Sequence, residues 1–446
     1  MNPLLLFYLI KSYLADVHRL KENPEKIERY RERAFQRVLR NAMKTPMYRE
    51  KYRGIDLSRI TLKTIDRLPI LTKQDIRKHF PHGVVPEGYD TRRALTVSTS
   101  GSTGQPTSIY TDFYTIIKAL MGFIREIREY GISWRRDRMT IIADLTAGSA
   151  EEAYLNRTAV PNLKPFFSLD NMQLAHVGQD VKQMIEKIDA FRPRFIGGYP
   201  GVLMALAVLK RKGYGTHIEP EVIASSGAVL DEYTKRYIEE TFNARVFDVY
   251  GSTEAGPVAF ECRKGNYHIH HDMVHLEFLD DRGEPVAFGT PGHIVVTKLY
   301  GNATPIIRYN GLNDFVIPLE RTCDCGINTP LIESVAGRMV DALVMPSGAI
   351  IPPFAVTGIP AKVMERLNSD IVQQFQIVQE DYDRIIVSLV MEADRTNGEK
   401  KQVMGEIQRE FEKRMEEGVT VQVREVEKIP SEGPIPQVIH SRVAIR

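Results

Sequence analysis

Between Ser98 and Pro106 the chain reads Ser-Thr-Ser-Gly-Ser-Thr-Gly-Gln-Pro. Glycines there let the backbone approach an anion, and the hydroxyls of Ser98, Thr99, Ser100, Ser102 and Thr103 can donate to phosphate oxygens. The same residue types also make plain turns between strands, so the run gains meaning only with companions. It has neither the Gly-Lys-Ser/Thr of a Walker A loop nor a GxGxxG, which disfavours P-loop NTPases and Rossmann dehydrogenases. A second group is Asp248-Val-Tyr-Gly-Ser-Thr-Glu254, a strand-like end running into a glycine turn and a carboxylate. Ligands of α/β sheets bind at carboxyl ends of strands, where Tyr250 can stack on a base and Glu254 can reach a Mg2+ that bridges phosphates. A strand ending in a polar turn is the plainer alternative. A third group is Cys262, His268 and Cys323-x-Cys325. Three sulfurs and an imidazole can close a tetrahedral Zn2+ with no open position, hence a structural one, with His270 or His271 as rival ligands and free thiols as the alternative.

These groups need a scaffold. With 446 residues, 43% of them hydrophobic and 26% charged, the chain can bury two or three domains. Its 59 basic and 57 acidic residues give a formal charge of +2, no overall pull toward nucleic acid or anionic membranes. Three cysteines are too few for a secreted disulfide framework, and a cytoplasmic protein is expected. The apolar segment 3–10 stops at Lys11, too short to span a bilayer. A packed helix is expected there, a peripheral membrane or partner contact being the sharper reading.

Residues 12–50 have helical spacing and predict two or three helices, and Thr72 is placed to cap a short helix at 75–79. From 95 to 310, strands at 139–144, 195–198, 222–225 and 246–249 alternate with helical stretches at 177–191, 200–213 and 231–243. That alternation predicts an α/β domain with parallel strands. Between 267 and 320, turn signals at 280–283 and 290–292 suggest an antiparallel β subdomain. After Asp341 a helix (354–367), strands (372–379 and 384–391), a charged helix (396–417) and a strand (419–427) predict a separate α+β domain.

Taken in order, these segments resemble the adenylate-forming superfamily. The Ser/Thr/Gly run is similar to its signature loop, Thr-Ser-Gly-Ser/Thr-Thr-Gly-x-Pro. The resemblance implies that Ser100, Gly101, Ser102, Thr103 and Gly104 hold the β- and γ-phosphates of ATP, with Thr103 in a catalytic role. Tyr250, Gly251, Thr253 and Glu254 match Tyr-Gly-x-Thr-Glu, the adenine and magnesium motif. Pro305-Ile-Ile-Arg-Tyr-Asn-Gly-Leu-Asn-Asp-Phe315 resembles Arg-Tyr-x-Thr-Gly-Asp, so Asp314, one residue later than usual, is expected to accept from both ribose hydroxyls. Gly337-Arg-Met-Val-Asp341 matches the hinge motif, with Arg338 on the nucleotide and Asp341 as pivot.

Thr45-Pro-Met-Tyr-Arg-Glu50, Leu68-Pro-Ile-Leu-Thr-Lys73, Gly198-Tyr-Pro200 and Ser225-Ser-Gly227 look like the phenylacetate–CoA ligase and capsule-biosynthesis branch, which carries a similar Cys and His pattern. The resemblance covers nearly the whole chain and implies an acid pocket at Tyr199, Pro200, Ser226, Gly227 and Ala228. The implied architecture is α/β: a large multi-subdomain N-terminal adenylate-forming domain (1–341) and a small, mobile α+β C-terminal domain (342–446).

The implied activity is ATP-dependent ligation of a small-molecule carboxylic acid, through an acyl-adenylate, to CoA or an amine, with Mg2+ assisting. A homodimer is the commonest assembly for such a chain. Two departures stand out. Gln105 replaces the usual lysine of the phosphate loop, and Pro434 stands where the C-terminal catalytic lysine belongs, with Lys428 and Arg442 the nearest cations. The competing expectation is therefore a protein that keeps the fold but is impaired in adenylation, serving as an acyl transferase or a nucleotide- or acyl-binding partner.

Overall fold

Four helices lead into the sheets: α1 (Pro3–Asp16), α2 (Pro24–Ala42), α3 (Pro46–Lys51) and α4 (Lys73–His79). They belong to a computed structural model that describes residues 3–98, 107–146, 149–152, 154–155, 170–338, 343–351, 356, 358–367, 369, 371–429 and 438–443. Thr72 caps α4 as expected: its hydroxyl accepts the Asp75 N–H at 3.2 Å while Asp75 accepts the Thr72 N–H at 2.8 Å. Next come β1 (Ala94–Ser98) and β2 (Ser108–Asp112), an antiparallel pair whose last partners are Ser98 and Ser108, followed by α5 (Phe113–Glu129). Asp112 starts α5 by accepting the Thr115 N–H at 2.7 Å.

The alternating segments form β3 (Met139–Ala143), β4 (Met172–His176), α6 (Val181–Phe191), β5 (Phe195–Gly198), α7 (Pro200–Arg211), β6 (Val222–Ser226), α8 (Glu232–Phe242) and β7 (Arg245–Ser252). Strands β3 to β7 pair in parallel, as their apolar runs predict. Then follow β8 (Gly256–Glu261), β9 (Tyr267–Ile269), β10 (Val274–Leu279), β11 (Gly292–Lys298), β12 (Asp314–Leu319) and β13 (Leu331–Arg338), all antiparallel to their neighbours.

Here the structure differs from the sequence reading. The antiparallel strands are no separate subdomain but half of one 11-stranded sheet, ordered β10-β11-β12-β13-β9-β8-β7-β6-β5-β3-β4. The join is β7, which runs on to Ser252 and turns back at Gly256, at a φ of 75°, so that β8 pairs along it.

Buried charges lock α5 in place. The Arg125 guanidinium donates to both Asp272 carboxylate oxygens at 2.9 and 2.8 Å, and His270 and Glu126 are paired at 2.8 Å. Lys118 reaches Asp16, which brings α1 onto the same helix.

The C-terminal part comprises β14 (Leu343–Val344), β15 (Ile350–Ile351), α9 (Ile359–Leu367), β16 (Val372–Asp381), β17 (Arg384–Met391), α10 (Asn397–Glu412), β18 (Thr420–Glu425) and β19 (Ile439–Ser441). Its sheet runs β18-β17-β16-β19, the α+β pattern expected plus a three-residue strand too short to read from sequence. Buried Gln379 holds β14 against this sheet, accepting the Val344 N–H at 2.9 Å and donating to the Val344 carbonyl at 2.7 Å.

Candidate active site

Three parallel strands end side by side. Gly198 lies opposite Ser225, and Ser226 opposite Val249, which puts Tyr199, Ser226 and Tyr250 at one rim. Gly227 has a φ of 85°, and a Cβ there would come within 2.3 Å of the Tyr199 ring, so only glycine lets the two turns close on each other. The Tyr199 hydroxyl donates to Glu151 Oε1 at 2.6 Å, and burial pushes the Glu151 carboxyl up. Beneath this rim lies a cavity of about 740 Å³ between α5 and the sheet.

Of the acid-pocket residues expected from sequence, Tyr199 and Ser226 line this cavity. Pro200, Gly227 and Ala228 are absent from its wall among the described residues. Pro200 is buried in the first turn of α7, whereas Gly227 and Ala228 face outward.

The nucleotide residues converge beside the rim. The Tyr250 hydroxyl donates to Asp314 Oδ2 at 2.5 Å, joining motifs 64 residues apart. Asp314 opens β12 directly opposite Arg338 on β13. Its one-residue offset is taken up by the turn at 310–313, where Asn313 adopts a φ of 57°. Gly251 lies near the end of β7 and Thr253 in the turn that holds Glu254, which is buried and accepts the Tyr309 hydroxyl at 2.8 Å on Oε1. Burial and Glu254 together push the Tyr309 phenol up.

Two participants escaped the sequence reading. Tyr309 lies within the motif that carries Asp314, and a Cβ at Gly311 would sit 2.2 Å from its ring, so the following turn folds tightly over it. Lys298 is the other. It is 3% exposed, donates to the Glu254 carbonyl at 3.1 Å, and burial lowers its pKa to about 8 against the pull of Asp112 and Glu254. A lone lysine closing the apolar run Ile294-Val-Val-Thr-Lys298 was the available signal.

The phosphate-loop residues Ser100, Gly101, Ser102, Thr103 and Gly104 lie outside the described residues, as do Gln105, Asp341 and Pro434. The flanks of the loop are described. Ser98 and Ser108 hydroxyls meet at 2.8 Å, and Thr304 bonds Tyr110 twice, at 3.0 and 3.2 Å. Asp112, at the end of β2, shares Lys298 with Glu254, so the β1–β2 pair stands next to the carboxylate. Lys428 is exposed after β18 and makes no hydrogen bond or ion pair to this cluster among the described residues.

Elsewhere on the sheet the Cys and His groups do meet. The ligand atoms of Cys262, His268, Cys323 and Cys325 all lie within 4.8 Å of one another. Cys262 and Cys323 sulfurs are 3.8 Å apart, the edge of a tetrahedron with a Zn–S bond of about 2.3 Å. His268 turns Nε2 toward Cys325 at 3.2 Å while its Nδ1 meets Thr329 at 3.2 Å. The rivals are engaged elsewhere, His270 by Glu126 and Arg125, His271 by Glu28.

Comparison with known proteins agrees with this arrangement. A family model described as the CapK C-terminal domain matches residues 344–434. Protein CapK of Staphylococcus aureus is 24% identical over 427 residues, 94% of this chain and 90% of that protein. A phenylacetate-coenzyme A ligase of Thermus thermophilus is 27% identical over 338 residues, 71% of this chain and 69% of its own. The chain is similar along most of its length to protein CapK and over about two thirds of it to a phenylacetate–CoA ligase. Among solved structures, a 2-hydroxyisobutyryl-CoA ligase in the postadenylation state superposes with a TM-score of 0.78 at 19% identity, covering 95% of this chain and 92% of that one. No helix among the described residues is long and apolar enough to cross a membrane.

Proposed function

We propose that the chain activates a carboxylic acid with ATP and passes the acyl group to CoA. The observation that carries this reading is the hydrogen bond from Tyr250 to Asp314 beside the buried Glu254, three motif residues drawn to one rim above an acid-sized cavity. In the first step a carboxylate oxygen attacks the α-phosphorus and pyrophosphate leaves, giving the acyl-adenylate. In the second a thiolate attacks the acyl carbon and AMP leaves. Asp314 accepts the ribose hydroxyls, held at a fixed angle by Tyr250, and Arg338 approaches the nucleotide from the opposed strand. Residues 100–104 grip the β- and γ-phosphates, with Thr103 donating to them. Glu254 would hold Mg2+ through its carboxylate, an ion that neutralises phosphate charge when bound. The cluster at Cys262, His268, Cys323 and Cys325 suits a structural Zn2+, distant in role from the chemistry. CoA is preferred to an amine because the relatives with a named activity are CoA ligases. Residues 342–446, pivoting at Asp341, form the domain that changes pose between the two steps.

Acid-dependent exchange of labelled pyrophosphate into ATP, with Mg2+, across a panel of aryl and alkyl acids tests the proposal. Exchange is expected, and Glu254→Gln should lower it by roughly 10²- to 10³-fold, the usual cost of losing one preorganised electrostatic group. Absence of exchange with every acid sinks the reading.

A further inference from the structure

The cavity under the strand-end rim is far larger than one aromatic ring requires. Its volume is about 740 Å³. A cavity of about 150 Å³ lined by aliphatic side chains already holds benzene. A single-ring acid would therefore fill roughly a fifth of the space.

The shape is set by one face of α5. Ile116, Ala119, Leu120, Phe123, Ile124 and Ile127 all line the cavity, the i, i+3, i+4, i+7 spacing of one helical stripe. From Ile116 to Ile127 that stripe is about 16 Å long at the rise of an α-helix. Across from it stand Met139, Ile141, Phe195, Ala224 and Val249 of the sheet, while Ile10 and Leu14 of α1 close its outer end. The two carboxylates in its wall are already engaged. Glu126 is bound to His270, and Glu151 to Tyr199 at the rim. A polar or charged tail would find no free partner among these two carboxylates, whereas an apolar one would displace water along the whole stripe.

From this we infer that the acid is amphiphilic: a carboxylic acid whose long apolar tail lies along α5, with its carboxyl at Tyr199 and Ser226. The inference rests on the acid-ligase reading, and it adds the substrate class. An extended aliphatic chain and a fused or linked ring system share this chemistry, and they separate in the experiment.

The experiment measures binding and turnover independently. Calorimetry on the full chain would compare phenylacetate, octanoate, dodecanoate, hexadecanoate and biphenylacetate, and pyrophosphate exchange would be run on the same series. Affinity is expected to rise by up to about fourfold per buried methylene until the cavity is filled. Dodecanoate should then bind at least a hundredfold more tightly than phenylacetate. A matching gain for biphenylacetate would assign the space to rings rather than a chain. Ala119→Phe, three residues along the stripe from Ile116, should cut dodecanoate affinity at least tenfold and phenylacetate affinity by a smaller factor. Leu120→Trp provides a second block should the first fold poorly. Equal or better binding of phenylacetate overturns the inference while leaving the ligase reading intact. Tight dodecanoate binding with no exchange for any acid upholds the pocket and overturns ligation.

Discussion

Lys298 and the Tyr250–Asp314 pair carry the sharpest consequences at the scale of single residues. The ammonium of Lys298 is fully enclosed and bonded to the Glu254 carbonyl, and its pKa falls from 10.5 to about 8. As pH rises through 8 the folded chain releases this proton, while the unfolded chain keeps it until 10.5. The unfolded state then binds more protons, so the contribution to stability is least below pH 8 and grows toward 10.5. Lys298→Met removes that step. Wild type should therefore gain on the variant, in urea midpoints, as pH is raised across this window. A constant difference would mean that the lysine does not titrate there. On the proposed reading Tyr250 acts on the nucleotide through Asp314, to which it is bonded. A hydrogen bond to a charged group contributes about 1.5–3 kcal/mol, so Tyr250→Phe and Asp314→Asn should each weaken AMP binding by roughly tenfold or more. Because the two side chains are bonded, the double variant should fall short of the sum by at least about 0.5 kcal/mol. Strict additivity in a calorimetric cycle would show that Tyr250 touches the ligand without acting through Asp314.

At the scale of elements, what was legible followed from local pattern. Parallel strands β3, β5, β6 and β7 were readable because strands covered on both faces are short apolar runs, whereas β4, Met-Gln-Leu-Ala-His, was not, and the Thr72 cap was readable because its partner lies three residues away. The pairing of β8 onto β7 was hidden, since one tight turn at Gly256 decides it. Within the site, Glu254 and Asp314 showed in their motifs, but Glu151 meets Tyr199 across 48 residues and Lys298 meets Glu254 across 44, contacts that only the fold creates. The thiol cluster was legible in its ligand types, and His268, preferred in the sequence to its rivals His270 and His271, is the imidazole that meets the thiols. His268 wins because it lies on β9, opposite Leu331 of β13, while His270 is drawn toward α5. Four ligands from the end of β8, from β9 and from the β12–β13 connection would clamp those elements together. Protein purified without chelator should hold about one Zn2+ per chain by mass spectrometry. Stripping it, or Cys323→Ser, should lower Tm by several degrees, on the scale of about 2–4 °C per kcal/mol for a domain of this size. A metal-free preparation with unchanged Tm would leave the cluster as three thiols and a histidine.

At the scale of the whole molecule, the proposed reaction asks two sheets to cooperate. The apolar residues of β16, β17 and α10 form one continuous cluster with those of α6, α7 and α8, and α9 packs near α8. The C-terminal sheet is thus seated on the helical layer of the large sheet, and Gln379 couples its position to β14, the first strand after the hinge motif. Such a domain completes adenylation in this superfamily by bringing an ammonium to the α-phosphate, where it neutralises charge as pyrophosphate departs. Pro434 has no charge to bring. Lys428 is exposed, just after β18. The expected consequence is a chain whose first half-reaction is slow and whose second is intact. Pro434→Lys should then raise acid-dependent pyrophosphate exchange by roughly 10- to 100-fold. Transfer from a preformed acyl-adenylate to CoA, which does not require that ammonium, should change little. Both rates can be followed on the same preparation by quenched-flow detection of AMP. Fast exchange in the wild type, unaltered by the substitution, would mean that another cation faces the α-phosphate, and Lys428→Ala would then be the variant to abolish it.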